Sequence, residues 1–109
     1  MQQKYKILYS RAALDDLDEI FSYIAKDNVI IAEILLEKFN ESILKLSNFP
    51  NLGSVLSADE FTLISDGYRF LVVHPYIIFY RIIEESIVIH RILHGRRDYL
   101  RGLFDLPEK

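Results

Sequence analysis

The 109-residue chain has no cysteine, and it has only four glycines and three prolines. Without cysteine it can have no disulfide, no thiol nucleophile and no cysteine-based metal site, and this composition fits a reducing compartment. The glycines are scattered along the chain, so they form no phosphate-binding loop. The histidines and acidic residues show no metal-ligand spacing, and we therefore expect no metal and no cofactor.

Long hydrophobic runs are also absent. The longest apolar run, residues 76–80, suits a buried strand and is far too short to span a membrane. Residues 1–6 have neither the apolar stretch nor the small-residue cleavage site of a signal peptide. These features predict a soluble, cytoplasmic protein without a membrane partner.

The composition that remains is that of a folded protein. Hydrophobic residues make up 50% of the chain and aromatic residues 13%, which is enough to build a core and argues against disorder. At this length we expect a single domain over residues 1–109.

Charge is distributed unevenly along the chain. The net charge of −3 argues mildly against a dedicated nucleic-acid-binding protein. Residues 1–68 carry a balance of −5, whereas residues 69–109 carry +2, with five basic side chains between positions 91 and 101. A local basic patch on an acidic protein indicates a focused contact and not a general affinity for polyanions.

The first half of the chain predicts one strand and two helices. Alternation over residues 4–9 predicts the strand, and Ser10 is a good N-cap for a helix over residues 11–26. Residues 29–47 form the second helix, and the short link predicts an antiparallel hairpin. We expect Asp15, Asp16 and Asp18 to benefit from the dipole of the first helix. The two apolar stripes are Leu14, Leu17, Phe21 and Ile24, and Ile31, Leu35, Phe39, Ile43 and Leu46.

The second half predicts a sheet. Strands are expected at residues 68–73, 76–83 and 87–93, joined by turns short enough for hairpins. Residues 61–64 suit either a short strand or an apolar loop, and residues 99–104 suit a short C-terminal helix capped by Asp98. The predicted fold is α+β, with an N-terminal strand and an antiparallel two-helix hairpin packed on a largely antiparallel sheet. The sequence leaves the pairing of the first strand open.

Three arginines, Arg69, Arg81 and Arg91, lie in the predicted strands. An arginine among apolar neighbours needs a carboxylate, a carbonyl or a ligand phosphate. The arginine either forms an internal ion pair, with Asp66, Asp98 or a helix acid, or anchors an acidic partner; for Arg69 and Arg81 we favour the internal ion pair. By alternation, Arg69 shares a face with Leu71 and Val73, and Arg91 shares one with Ile87, Ile89 and Leu93.

The C-terminal part concentrates positive charge beside a tyrosine. The basic corner is the set Arg91, His94, Arg96, Arg97 and Tyr99, and Gly95 within it gives the backbone freedom. Its core, residues 94–99, is either a solvated turn capped by Asp98 or a guanidinium pair that grips phosphate or carboxylate. The residues themselves leave both readings open.

At these positions the sequence resembles the RelE/ParE superfamily of type II toxins. The resemblance covers nearly the whole chain and is most specific at its tail, residues 89–98 (IHRILHGRRD). Weaker matches are residues 10–17 (SRAALDDL), 49–53, 67–69, 72–73 and 78–81. The resemblance implies a small intracellular toxin that is neutralised by a cognate antitoxin, whose tail wraps apolar helix and sheet surfaces.

The superfamily has two branches, and residue types at matched positions separate them. The ribonuclease branch resembles enzymes that activate the RNA 2′-hydroxyl and stabilise the phosphate with arginines; it places basic residues in the middle strands. Here Leu71 and Ile78 match those positions, and Leu103 and Phe104 match a tyrosine or His-Tyr pair. Only Arg97 matches an expected catalytic arginine.

The resemblance therefore favours the ParE branch, which blocks DNA gyrase without a hydrolytic site. The acidic net charge also suits a protein target better than a ribosome-bound message. The expected target contacts are the five residues of the basic corner. The alternative is a ribosome-dependent mRNA endoribonuclease that would use Arg97 with Arg69, Arg81 or Arg91, and Tyr99. A third possibility is a non-toxic relic that only pairs with an antitoxin.

Overall fold

The computed structural model describes residues 4–55 and 67–95. The predicted strand at residues 61–64 and the predicted helix at 99–104 lie outside them. In chain order the elements are β1 (Lys6–Tyr9), α1 (Arg11–Ala25), α2 (Val29–Asn48), β2 (Ser54–Val55), β3 (Tyr68–Val73), β4 (Tyr76–Ile83) and β5 (Ser86–His94). All helices and strands predicted within the described residues are confirmed, and β2 is an addition.

Both helices begin at side-chain caps. The Ser10 hydroxyl accepts a hydrogen bond from the amide of Ala13 at 3.0 Å, and the Asn28 side chain accepts one from the amide of Ile31 at 3.0 Å. These caps satisfy amide groups of the first turn that have no partner within a helix. Asn28 therefore ends the short link after α1 and starts α2, which makes the hairpin compact.

The sheet has the order β1-β5-β4-β3-β2. Its β2–β3, β3–β4 and β4–β5 pairs are antiparallel, and the β1–β5 pair is parallel. The prediction of a largely antiparallel sheet with a helical layer is confirmed. The first strand, whose pairing the sequence left open, lies at the edge of the sheet beside β5. Two-residue turns, His74-Pro75 and Glu84-Glu85, join β3 to β4 and β4 to β5.

The core lies between the two helices and one face of the sheet. The predicted stripes are correct at Phe39, Ile43 and Leu46, but Leu14 and Ile31 are about half exposed. The neighbouring alanines, Ala13 and Ala32, are buried in their place, since a small side chain lets a helix approach its neighbours closely. The core cluster consists of Ala13, Phe39, Ile43, Leu46, Tyr76, Ile78, Tyr80, Ile87, Ile89 and Ile92.

Neither helix in the described part of the chain is long and apolar enough to cross a lipid bilayer.

Candidate functional site

A β-bulge in β5 sets the orientation of the predicted site residues. Tyr80 is opposite Ile89, whereas Phe79 is opposite Arg91, so β5 has one extra residue, His90, at this point. An extra residue bends its strand and changes which side chains share a face. As a result Ile92 joins the helix-side core cluster and Leu93 does not. The predicted grouping of Arg91 and Leu93 with Ile87 and Ile89 was wrong, because it assumed unbroken alternation across this bulge.

Arg91 is bound by an acid of α1. Its Nε donates to Asp16 Oδ2 at 2.7 Å and its Nη2 donates to Asp16 Oδ1 at 2.8 Å. The amide of Ile92 donates to the same Oδ2 at 2.9 Å. The helix acid that was considered as an internal partner of this arginine is therefore present. Asp16 is not in the first turn of α1, which holds no acidic residue, so the predicted dipole role was wrong for this side chain.

Arg69 has backbone carbonyls as partners. Its Nη1 donates to the carbonyl of Gly53 at 2.7 Å and to that of Asn51 at 3.3 Å. The hydroxyl of buried Tyr80 holds the same segment, because it accepts from the Gly53 amide at 2.9 Å and donates to the Pro50 carbonyl at 2.8 Å. Among the described residues, the partners of Arg69 are therefore backbone carbonyls, and the internal ion pair expected for this arginine is not observed there.

The face of the sheet opposite the helices carries a cluster of Tyr68, Arg81 and His90. The guanidinium carbon of Arg81 lies 5.1 Å from the centre of the Tyr68 ring, and the His90 ring lies 5.1 Å from the same ring. Burial lowers the pKa of His90, and the positive charges of Arg91 and Arg81 lower it further, against an opposing effect of Asp16. His90 is therefore a neutral imidazole at pH 7, next to a cation and an aromatic ring.

Leu71 and Ile78 lie on the opposite face from this cluster. They are paired directly across β3 and β4, Ile78 is fully buried in the core cluster, and Leu71 packs against it. Their apolar character is therefore a requirement of the core under the helices. It says little about which side chains a ligand on the other face would meet.

The described part of the basic corner ends at Gly95. The His94 ring makes an edge contact with the Tyr76 ring at 5.6 Å, and the Gly95 amide donates to the Pro75 carbonyl at 2.8 Å. Arg96, Arg97 and Tyr99 lie outside the described residues, and their roles stay predictions. Within residues 4–55 and 67–95, no group of three acidic, histidine or cysteine side chains is arranged to hold a metal ion.

Asp16 is the residue that the sequence reasoning missed. Its side chain is buried where α1 faces β5, and it is bound to Arg91. A signal for it was present in the sequence, since it stands three residues after buried Ala13 and directly before Leu17, on the apolar side of the helix. An acid in an apolar stripe requires a partner, and the strand arginines were the available ones.

A group of exposed apolar side chains surrounds the turn between the helices. This hairpin-end patch consists of Tyr23, Val29, Ile30, Ile31 and Ile34, each between 44% and 68% exposed. The exposed charged residues interspersed with it, from Lys26 to Glu37, are mostly acidic. Groups of exposed apolar side chains with charged residues around them are typical of interaction surfaces.

The sequence of the chain was compared with those of known protein families and proteins. Residues 7–99 match the model of the ParE toxin of the type II toxin–antitoxin system parDE. The chain is 33% identical to toxin ParE3 of Caulobacter vibrioides over 92 residues, which is 84% of this chain and 87% of the relative.

Two solved structures share the fold at 22% sequence identity. One is of a chromosomal ParDE toxin–antitoxin system from P. aeruginosa, with a TM-score of 0.66 over 84% of this chain and 96% of that one. The other is the toxin–antitoxin complex RelBE2 from Mycobacterium tuberculosis, with a TM-score of 0.55 over 86% and 94%.

Proposed function

Because the chain belongs to the ParE toxin family of type II toxin–antitoxin systems, we propose that it arrests growth by inhibiting DNA gyrase and that a cognate antitoxin neutralises it. The observation that carries the proposal is the match to the ParE model over residues 7–99, together with the similarity to toxin ParE3. Gyrase is the target that resemblance to the ParE branch implies.

The basic corner is the proposed contact with gyrase. His94 and Gly95 lie where β5 leaves the sheet, and the sequence continues with Arg96 and Arg97. Paired guanidinium groups bind carboxylates through charged hydrogen bonds, and arginine is frequent among the residues that dominate protein interfaces. Positive charge at this end of an otherwise acidic chain directs the contact to one surface.

The test measures DNA supercoiling by purified gyrase with the purified chain at increasing concentration. We expect inhibition by the natural chain, and an at least tenfold higher inhibitory concentration for Arg97→Ala, since loss of an interface arginine costs about 2 kcal/mol or more. Arg11→Ala is the control, because this arginine is exposed and pairs only at the surface with Asp15, 3.4 Å away. Full gyrase activity at saturating toxin would refute the proposal.

The antitoxin is proposed to cover the hairpin-end patch. An amphipathic helix or extended segment that places aliphatic side chains on Ile30 and Ile34 would bury them from water, as in other recognition of this kind. The acidic residues around the patch favour basic residues at the border of that segment. Both solved structures come from toxin–antitoxin systems, which supports a partner of this kind.

Antitoxin binding is tested with the double variant Ile30→Asp/Ile34→Asp. Burial of each isoleucine contributes about 1.5–3 kcal/mol, so the dissociation constant measured by calorimetry should rise about 100-fold or more. The control is Leu44→Asp, a change of an exposed apolar residue at the other end of α2. Equal losses in both variants would mean that the patch is not the docking site.

The Tyr68–Arg81–His90 cluster is the observation that favours the second candidate, an mRNA endoribonuclease. A neutral histidine can accept a proton from a 2′-hydroxyl and an arginine can offset phosphate charge. Pulse labelling after induction of the chain alone separates the candidates. DNA synthesis should fall first if gyrase is the target, protein synthesis should fall first with cleaved messages if the ribonuclease is correct, and unaffected growth would indicate a non-toxic relic.

A further inference from the structure

Asp16 is the one buried charged residue in the described part of the chain. Its two carboxylate oxygens accept three hydrogen bonds, two from the guanidinium of Arg91 and one from the amide of Ile92. A carboxylate is expensive to bury, and charged hydrogen bonds with good geometry offset that cost. All three donors belong to β5, so the carboxylate ties the middle of α1 to that strand.

Asp16 contacts β5 just beyond the point at which the neighbouring strand β1 ends. β1 pairs with residues 86–89 and ends at Tyr9. Beyond that point, the Ser10 hydroxyl donates to the carbonyl of His90 at 2.8 Å, and Asp16 accepts from the amide of Ile92. Side chains of the α1 cap and of α1 thus take over the hydrogen bonding that a longer β1 would have supplied.

A second anchor fixes the other side of the same segment. The Gly95 amide donates to the carbonyl of Pro75 in the β3–β4 turn. The segment from Ile92 to Gly95 is therefore bound to α1 at its first residue and to the β3–β4 turn at its last residue.

We infer that Asp16 is a positioning residue that fixes residues 92–95 at the end of β5 and thereby the orientation in which His94 of the basic corner meets its target. This inference rests on the proposed function for its link to inhibition, whereas the fixing of residues 92–95 is testable by itself. Asp16 is screened from the target by its burial and acts through Arg91 and the backbone of Ile92.

The test variant is Asp16→Asn, which keeps the size of the side chain and one oxygen. That oxygen has two lone pairs and can accept at most two of the three hydrogen bonds, and the amide group has no charge and its NH₂ cannot accept from Arg91. Asp15→Asn is the matched control, because it makes the same change one position earlier at an exposed, surface-paired acid. Both variants are compared with the natural chain at a temperature at which thermal unfolding shows each to be folded.

Two readouts are recorded on each variant. Residual dipolar couplings and amide hydrogen exchange report the orientation and protection of residues 92–95, and the supercoiling assay reports inhibition. We expect Asp16→Asn to change the couplings at Ile92 to Gly95, to speed exchange of the Ile92 amide at least tenfold, and to raise the inhibitory concentration at least tenfold. Asp15→Asn should match the natural chain in both readouts.

The outcomes separate this inference from the proposed function. Unchanged couplings and exchange in Asp16→Asn overturn the inference, as does altered backbone order with undiminished gyrase inhibition. If the natural chain itself does not inhibit gyrase, the proposed function fails, and the inference is then judged by the couplings together with growth arrest on induction. If Asp16→Asn does not fold, the neutral pair Asp16→Asn/Arg91→Gln replaces it, and native couplings at residues 92–95 in that variant overturn the inference.

Discussion

Gly53 lies at the closest approach between the loop after α2 and the sheet. A β-carbon built at this position would be 2.6 Å from the carbonyl oxygen of Phe70 and 2.7 Å from the hydroxyl of Tyr80. Neither neighbour can withdraw easily, since one is backbone of β3 and the other holds the Gly53 amide and the Pro50 carbonyl. Glycine is therefore required at position 53, because there is no room for a larger side chain.

Gly53→Ala should destabilise the protein. The added methyl group forces a shift of the Tyr80 ring or of β3, and overpacking of this kind costs about 1–3 kcal/mol. Denaturant unfolding of the variant, compared with Ser54→Ala at the exposed neighbouring position, measures the effect. A free energy of unfolding equal to that of Ser54→Ala would show that the loop can move away from the sheet at little cost.

At the scale of elements, the β4–β5 hairpin contains a local strain. Glu84 has a φ of 56°, a left-handed conformation that costs a residue other than glycine about 1–2 kcal/mol. The two-residue turn that starts with Glu84 connects the strands in a register that places Ile83 opposite Ser86. Pairing of β4 with β5 on either side of the turn thus keeps Glu84 in a backbone conformation that glutamate disfavours.

Glu84→Gly should be more stable than Glu85→Gly. The two variants remove the same charge and gain the same flexibility in the unfolded chain, but only the first relieves a positive φ. We expect a difference in the free energy of unfolding of about 1 kcal/mol, measured by thermal or urea unfolding. Equal stabilities, or a less stable Glu84→Gly, would contradict the assignment of strain to this turn.

Local sequence signals predicted some features of the helices and strands and failed for others. Ser10 predicted the start of α1, because a capping side chain bonds an amide only three residues away. The cap of α2 by Asn28 acts over the same distance and was not predicted. Strand alternation in β5 failed beyond His90, because a bulge is set by how two strands are matched across the sheet. No pattern within β5 itself signals the extra residue.

At the scale of the whole molecule, His90 links stability to pH. Its pKa lies below the ordinary value of 6.5 because of burial and of the charges of Arg91 and Arg81. As the pH falls below 6.5, the unfolded chain binds a proton that the folded chain does not yet bind. The free energy of unfolding should therefore decrease until the pH reaches the lowered pKa of the folded state, and this contribution should then stay constant.

The comparison that isolates His90 is with His90→Gln, unfolded in urea at about pH 7.5 and about pH 5.5. The other two histidines and all carboxylates are present in both proteins, so their contributions cancel in the difference. The natural chain should lose more stability between the two pH values than the variant. The same loss in both would mean that His90 does not resist protonation in the folded state.

The sequence by itself determined the α+β class, the helix starts, the strands of the second half and the membership of the superfamily. These follow from short-range signals: periodicity of apolar residues, the Ser10 cap, the break between the helices, and a motif of ten neighbouring residues at 89–98.

Only the tertiary structure decided that β1 pairs in parallel with β5, and that Asp16 binds Arg91 across 75 positions of the chain. The sequence offered several acids for one arginine and no preference among them. The packing of α1 on the sheet selects the partner, because it places Asp16 beside the part of the β5 edge that lies beyond the end of β1.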